Sequence, residues 1–574
     1  MPGSNASRNR EWILAGILAA LCGAIYLAVR PPLFDNDGYR DRIYGMQPHG
    51  FYNFNPHHLL WIPAQAMFAR LAASLGAPTT VPFQLIGILA STATLFLFYL
   101  LIRRACDNSV FASSAGIFIA FSPEFWHLGL QNRVYAFVFL ALVIYLMVWQ
   151  TVDGTPPKRS RLVAAGLLIV LLALLQQAMV LLVGAGAIVL IVLSDDTWST
   201  RTLRAFAWSA CIGLAVFLAY ISAWSVARID QPFLHWTLKF VYVLHSPSLY
   251  DLGLPMCLIK AVMGISGVLI QSEMIKDFLS SNYSSSEIYI FYASVGILAL
   301  VGPGWWAWRG HLGKIVSRLI RINALFAVSI LSMLFWVGFV VIWQPAEPHF
   351  WCVALFPAIL CLGMVLRERE WRGLWSLAAV LVLASGWNLY FDLQHDQSER
   401  HNFPEPLLAN IQAHVGPKGI FVVLDVGVGV DVDYDLLFEC LHYSPHDSGI
   451  AIDDYVTDTG NGNQPWQQRL HDKIEAVLDS GGPVFIAEHV LERGSYSDLS
   501  GRDDPFAIAI YKGGPTIPGP TLYAEVQQVF AEYALSPSDF AIGVDRFLIL
   551  TRKPIRLQSG ADYYQKARSL THLE

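Results

Sequence analysis

Charged residues are scarce in this sequence, and hydrophobic residues are in excess. Asp, Glu, Lys and Arg make up 14% of the 574 residues, whereas soluble domains contain about 25%. Hydrophobic residues account for 55%, above the roughly 45–50% of soluble proteins. A soluble protein could not keep that much apolar surface away from water. The composition therefore predicts a polytopic α-helical membrane protein.

The sequence also lacks the cysteine patterns of disulfide-rich and zinc-binding proteins. Its seven Cys residues form no CxxC pair and show no regular spacing. Most of them lie within apolar runs, where Cys packs as a small hydrophobic side chain. Neither a disulfide framework nor a zinc site is expected.

Long runs without charge predict about eleven transmembrane helices. The segment 162–193 has no charge, and as one helix it would be about 48 Å long, against a hydrocarbon core of about 30 Å. We therefore expect it to turn back near Gln176 and Gln177 and count it as two spans. A cleaved signal peptide is the alternative for the first run, but no small-x-small cleavage site precedes Arg30. The runs are 12–29, 82–102, 109–121, 134–152, 162–193, 205–226, 288–308, 322–343, 350–365 and 374–391.

Basic loops orient these predicted helices. Lys and Arg concentrate after every second span, and such loops lie in the cytoplasm. If 162–193 formed one helix instead of two, every later loop would be assigned to the opposite side of the membrane. The basic loops are 103–104, 158–161, 201–204, 309–321 and 367–372. The outer loops are then 31–81, 122–133, 228–286 and 344–349, and the C-terminal residues 392–574 also lie outside.

The composition changes at Asp392, which we take as the boundary between a membrane domain (1–391) and a soluble domain (392–574). From there on the sequence holds 27 acidic residues against 13 Lys and Arg. Short apolar runs predict strands at 419–425, 483–488 and 546–551, and helical spacing marks 434–443, 467–478 and 522–533. This alternation predicts a C-terminal soluble α/β domain. The glycines after Asp425 do not complete the GxGxxG nucleotide motif.

Two polar clusters in the first outer loop are candidates for chemistry. Asp35 and Asp37 follow the first helix closely. Two carboxylates at this spacing can share a divalent cation, or one can act as a general base. His57 and His58 can bind phosphate when protonated, or a metal ion when neutral. The alternatives are a solvated loop or a helix cap for the aspartates and hydrogen-bonded packing for the histidines.

The other outer loops add acids, histidines and cations. Glu124 and His127 are three residues apart and can share a helical face, while Arg133 and Tyr135 stand at the start of the next helix. An Arg there suits a lipid phosphate, although it could also be a snorkelling anchor. The last short loop holds Glu347 and His349 between prolines, and Lys239 lies among aromatic residues in 228–286.

These motifs resemble bacterial members of the GT-C superfamily. The resemblance rests on the Asp-x-Asp at 35–37, the Asn-Pro-His-His-Leu-Leu at 55–60, and the Ser-Pro-x-Phe-Trp and Val-Tyr-Ala-Phe stretches within 122–137. It covers roughly residues 10–200 and extends to protein O-mannosyltransferase-like proteins, which are membrane glycosyltransferases that use polyprenyl-phosphate sugars. Relatives often carry Ala-Glu-Val-Tyr where this chain has Asn132-Arg133-Val134-Tyr135. If that glutamate is functional, Glu124 is its substitute here.

The resemblance implies an inverting transfer of a sugar to an acceptor hydroxyl at the outer face of the membrane. A loop aspartate, best matched by Asp35, would be the general base, with Asp37 and Glu124 as further catalytic candidates. A phosphate leaving group needs cations, and the candidates are Arg133, His349, His57 and Lys239. Candidates for substrate contacts are His58, Tyr135, Glu347 and His127. Asp35 and Asp37 are also the candidate ligands of a divalent metal, the one cofactor considered.

The expected partners are a polyprenyl-phosphate-linked sugar donor, a glycan, lipid or protein acceptor, and membrane lipids; nucleic acid is not expected. The resemblance implies a bacterial inner membrane with the C-terminal domain in the periplasm. One alternative is an oligosaccharide ligase or polymerase acting on lipid-diphosphate glycans. A glycolipid transporter would bury paired charges in mid-helix, and an envelope scaffold would tolerate substitution of the Asp35 loop.

Overall fold

The chain folds as two compact units, Met1–His401 and Asn402–Glu574. The predicted boundary at residue 392 lies inside the last membrane helix, because that helix continues to Asn402 through polar residues. The computed structural model describes residues 5–29, 54–74, 80–131, 133–150, 158–193, 196–228, 232–239, 248–270, 288, 290–292, 294, 316, 319–320, 323–367, 371–402, 413–416, 418–423, 449–452, 464–491, 519–542 and 545–553.

The first unit is helical throughout its described parts. Asn side chains cap two of its helices: Asn108 accepts from Phe111 N at 2.9 Å, and Asn323 accepts from Phe326 N at 3.1 Å, which satisfies backbone donors that the first turn leaves open. The helices are α1 Asn5–Val29, α2 Trp61–Ser74, α3 Thr80–Cys106, α4 Ser109–Ala120, α5 Pro123–Leu130, α6 Tyr135–Trp149, α7 Arg159–Leu175, α8 Leu182–Leu193, α9 Trp198–Val226, α10 Phe233–Lys239, α11 Ser248–Leu269, α12 Ala324–Trp343, α13 Pro348–Arg367 and α14 Trp371–Asn402.

Within the described ranges, seven helices are long and apolar enough to cross a membrane, or eight if the bent pair α5 and α6 is one span. The polytopic membrane fold is thereby confirmed, and the described residues do not test the predicted total of about eleven spans. The runs at 109–121 and 162–193 do form helices, of 12, 17 and 12 residues, shorter than the roughly 20 residues a bilayer requires. The run at 288–308 lies almost wholly outside the described residues.

The uncharged segment 162–193 turns back on itself, as predicted. Helix α7 ends at Leu175, a 3₁₀ turn covers Gln177–Leu181, and α8 follows. Gly166 in α7 and Gly186 in α8 both face the indole of Trp208 in α9. One straight helix would separate these glycines by about 30 Å. The two short helices are therefore a hairpin whose bend lies at Gln176.

The two ends of the helical bundle differ in charge. At one end, Arg103 pairs with Glu11 at 3.1 Å, and Arg367 donates to the carbonyl of Ala105 at 2.7 Å. We call this the basic end. At the opposite end, Tyr26 near the end of α1 donates to Ala120 O at 2.5 Å and packs edge-on against Trp126 at 5.0 Å.

Helix α11 was not predicted, because 228–286 was interpreted as an outer loop. Residues Leu252–Leu269 of this helix are long and apolar enough to span a membrane. Asp251, Pro255 and Lys260 interrupt the hydrophobic pattern in this region, so the sequence did not indicate a helix. Its C-terminal part packs on the turn before α13: a Cβ at Gly264 would overlap Pro345 O and the Trp351 indole. Leu269 O accepts from Asn388 of α14 at 3.1 Å.

The second unit contains a five-stranded sheet, which confirms the predicted C-terminal α/β fold. The strands are β1 Ile420–Val423, β2 Gly449–Ala451, β3 Val484–Ala487, β4 Tyr533–Ile542 and β5 Asp545–Arg552, with α15 Trp466–Asp479 before β3 and α16 Gly519–Phe530 before β4. The order is β2-β1-β3-β5-β4. β1 pairs in parallel with β2 and β3, and β5 pairs antiparallel with β3 and β4. The predicted helix 434–443 and the glycines after Asp425 lie outside the described residues.

Arg552 ties β5 of this sheet to α15. Its guanidinium donates to Glu475 at 2.5 and 2.9 Å and to Asp479 at 2.5 Å. The hydrogen bond from Arg552 holds the pKa of Glu475 below its usual value. The pair is exposed, so its contribution to stability is small.

Candidate functional site

A tight turn at the end opposite to the basic end carries His57 and His58. Asn55 shapes this turn, because its side chain accepts from His57 N at 2.9 Å and its carbonyl accepts from His58 N at 3.0 Å. Tyr220 of α9 donates to Pro56 O at 2.8 Å. The turn is therefore held from within and from the bundle.

The same turn caps the C-terminal end of α7. Leu60 N donates to Leu174 O at 3.0 Å, and His57 O accepts from Gln177 N at 3.0 Å. The ring Nδ1 of His58 lies 2.7 Å from Leu175 O. Carbonyl groups at a helix end have no partner within the helix, so these contacts join the turn to the bend of the α7–α8 hairpin.

The contact with Leu175 O also fixes the tautomer of His58. A carbonyl oxygen can only accept, so Nδ1 carries the proton. Nε2 of His58 is consequently the ring nitrogen that can take up or release a proton. Its ring stands edge-on to that of His57, with centroids 4.5 Å apart.

Tyr135 joins these histidines to the start of α13. Its ring centroid lies 6.1 Å from that of His58 and 5.3 Å from that of His349. His349 Nδ1 lies 3.6 Å from a carboxylate oxygen of Glu347. The structure thus brings together five predicted site residues, which we call the histidine cluster: His57, His58, Tyr135, Glu347 and His349.

Two tryptophans hold the short connection that carries Glu347 and His349. The Trp351 indole donates to Pro345 O at 2.9 Å, and the Trp336 indole donates to Phe350 O at 2.6 Å. The connection also ends at Pro348, the first residue of α13. These two hydrogen bonds and Pro348 hold the backbone on both sides of Glu347 and His349.

Glu124 and His127 both lie on α5, which is bent by 117° from α6. The ring centroid of Phe125, the residue after Glu124, lies 5.9 Å from that of Phe356 of α13. Glu124 therefore lies beside α13.

The predicted cations Arg133 and Lys239 belong to segments that contact the cluster or the bend at Gln176. Arg133 lies two residues before Tyr135, and its N–H donates to Gln131 O at 2.9 Å. Lys239 is the last residue of α10, whose Thr237 O accepts from the Gln177 side chain at 3.1 Å. The backbone of both residues is thus close to the bend and the cluster.

Asp35 and Asp37 lie outside the described residues, so their predicted catalytic and metal roles stay predictions. Among the residues that the structure describes, no group of three or more His, Cys, Asp or Glu side chains could hold a metal ion. Sequence reasoning missed one member of the site, the Gln176 side chain, which donates to the Tyr135 hydroxyl at 3.2 Å. The sequence does contain a signal for it, because Gln176 and Gln177 are two adjacent amide side chains within the uncharged segment 162–193.

Residues 60–202 match a protein-family model, that of the protein O-mannosyl-transferase TMEM260 N-terminal domain. The matched segment is about a quarter of the chain and contains Glu124, His127, Arg133 and Tyr135. The match confirms the predicted resemblance to O-mannosyltransferase-like membrane proteins, and glycosyltransferase is the class of enzyme that it indicates. No curated protein matched the chain.

Solved structures of two proteins show similarity over most of the chain. ArnT from Cupriavidus metallidurans, bound to undecaprenyl phosphate, has 12% identity and a TM-score of 0.49, covering 94% of this chain and 97% of that one. The Archaeoglobus fulgidus oligosaccharyltransferase tethered with an acceptor peptide has 11% identity and a TM-score of 0.41, covering 94% and 74%. At these values the similarity identifies neither a donor nor an acceptor for this chain.

Proposed function

We propose that this protein transfers a sugar from a polyprenyl-phosphate donor to an acceptor hydroxyl at the outer face of a membrane. The observation that supports this most directly is the histidine cluster at the end of the bundle opposite to the basic end. Loops rich in Lys and Arg lie in the cytoplasm, so the cluster belongs to the outer side. The matched family is an O-mannosyltransferase, which makes mannose the first sugar to test.

The chemistry of the cluster suits a phosphate leaving group. Arg133, His57 and His349 can each donate to phosphate oxygens, and hydrogen bonds between charged partners are the strong ones. Helices α6 and α13 both begin at this end, and N–H groups at a helix start favour anions. A lipid donor would enter from the membrane, whereas a nucleotide sugar would be available on the cytoplasmic side.

The proposed reaction has a single displacement. The acceptor oxygen attacks the anomeric carbon opposite to the phosphate, and the bond from that carbon to the phosphate oxygen breaks. The lipid phosphate leaves with the bonding electron pair, and the hydroxyl proton passes to a carboxylate. This gives inversion at the anomeric carbon.

Asp35 is the proposed general base. In the sequence it lies six residues after Val29, where α1 ends. Tyr26, one turn before the end of α1, packs on Trp126, which lies between Glu124 and His127. The chain therefore enters the Asp35 loop beside α5.

The test compares Asp35→Asn and Asp37→Asn in the full-length protein. Transfer of labelled mannose from polyprenyl-phosphate mannose to the protein, glycan and lipid fractions of a membrane extract is measured. Asp35→Asn should lose at least about 10²-fold in rate, as expected for a removed general base, and Asp37→Asn should lose less. Asp107→Asn at the basic end is the matched control. If both loop variants work at the parental rate, this loop does not perform the reaction.

A further inference from the structure

The amide of Gln176 is a buried polar group at the bend of the α7–α8 hairpin. Its side chain is fully buried, with 0% exposure. Nε2 donates to the Tyr135 hydroxyl at 3.2 Å, while Oε1 has no hydrogen-bond partner among the described residues. A buried acceptor left without a donor costs about 1–3 kcal/mol, so this oxygen is suited to a hydroxyl that arrives with a ligand.

The local fold explains why an amide is present here. Gln176 ends α7 in an extended conformation, with φ −145° and ψ 109°, and the chain then enters the 3₁₀ turn. The backbone around it is occupied: Gln176 N donates to Leu172 O at 2.8 Å, and Gln176 O accepts from Met179 N at 2.9 Å. The bend therefore needs the backbone of this residue, whereas the side-chain oxygen is not used by the fold.

The position of Gln176 indicates a ligand that comes from the membrane. Helix α7 has 17 residues, from Arg159 to Leu175, and is about 25 Å long. The bend therefore lies within the roughly 30 Å of the hydrocarbon core, near its outer boundary. Through Tyr135, the amide adjoins the histidine cluster.

We propose that Gln176 is a specificity residue whose amide binds a hydroxyl of the donor's sugar. This rests on the proposed function, because it assumes a lipid-linked sugar at the histidine cluster. The residues proposed to hold the phosphate are Arg133, His57 and His349, so Gln176 would distinguish a sugar-loaded lipid from the spent lipid phosphate.

The experiment compares two lipids on the detergent-solubilised full-length protein. Binding of polyprenyl-phosphate mannose and of undecaprenyl phosphate is titrated by native mass spectrometry for the parent, Gln176→Met and Gln176→Leu. Met keeps the length of the side chain and removes its amide. Gln150→Met, at the opposite end of α6, is the matched control. Polyprenyl-phosphate glucose and arabinose replace the mannose lipid if the parent binds one of them more tightly.

We expect both Gln176 variants to weaken binding of the sugar lipid by about 3- to 10-fold, the effect of one neutral hydrogen bond. Binding of undecaprenyl phosphate should change less than 2-fold, which also shows that the variant is folded. An equal loss for both lipids would reduce Gln176 to a structural role. An unchanged affinity for the sugar lipid overturns the assignment to the donor. This holds even if the KM for the acceptor rises in the mannose-transfer assay. A parent protein that binds none of these lipids contradicts the proposed function itself.

Discussion

At the scale of single residues, the histidine cluster combines fixed and titratable groups. His58 is held by Leu175 O and by the ring of His57, so only its Nε2 can exchange a proton with a ligand. His349 is different, because its partner is the half-exposed carboxylate of Glu347 at 3.6 Å. The other ring nitrogen, Nε2, can donate to a phosphate oxygen when it carries a proton.

We expect Arg133→Gln and His349→Gln each to weaken binding of the donor lipid. A hydrogen bond to a charged group contributes about 1.5–3 kcal/mol, so the dissociation constant for undecaprenyl phosphate should rise by about 10-fold or more for Arg133→Gln. The same titration by native mass spectrometry measures it. Arg104→Gln, an exposed Arg at the basic end, should bind as the parent does. If neither site variant changes the affinity, these two residues do not hold the phosphate.

At the scale of elements, the turn that carries Glu347 is supported from outside by α11. Gly264 is the point of closest approach, since a Cβ there would overlap the carbonyl of Pro345 and the indole of Trp351. The Trp351 indole is itself bonded to Pro345 O. A substitution on α11 should therefore shift the positions of Glu347 and His349, although α11 contributes no predicted site residue.

Gly264→Ala should displace either α11 or the 344–347 turn. Overpacking of this kind costs about 1–3 kcal/mol, and the thermal unfolding midpoint should fall together with the transfer rate. Gly338→Ala on α12 is the control, because nothing lies within 4 Å of a Cβ at that position. Parental stability and parental activity in Gly264→Ala would show that the close packing of α11 on this turn is not required.

At the scale of the whole molecule, the helices determine on which side of the membrane the chain continues. Helix α13 begins beside the histidine cluster and ends at Arg367, which contacts Ala105 at the basic end. Helix α14 starts at Trp371 and reaches Leu269 of α11 through Asn388. The chain therefore leaves the first unit at the end opposite to the basic end.

The second unit should consequently lie outside the cytoplasm. Alkaline phosphatase fused after Glu574 should be active, and green fluorescent protein fused there should be dark, because the first folds in the periplasm and the second in the cytoplasm. Fusions after Asp107, in a predicted cytoplasmic loop, should give the opposite pattern and serve as the control. A fluorescent fusion after Glu574 would invert the assigned topology.

The sequence by itself determined the membrane class, the bend at Gln176 and the α/β character of the second unit, and it named all five residues of the histidine cluster as candidates. These follow from composition, uncharged length and strand patterning, which are local properties of the chain. The helix at 248–269 did not follow, because the charges, the glycines and the proline within that segment hide a helix that tertiary packing stabilises.

Only the tertiary structure decided which of the predicted residues meet. His57, Tyr135 and His349 are far apart in sequence and come together because the 55–60 turn and the first residues of α6 and α13 lie at one level of the bundle. Gln176 became a candidate for the same reason, since the contact of its amide with Tyr135 spans 41 residues. Hydrophobic patterning sets where a helix begins and ends, whereas the packing of one helix against another sets which ends are neighbours.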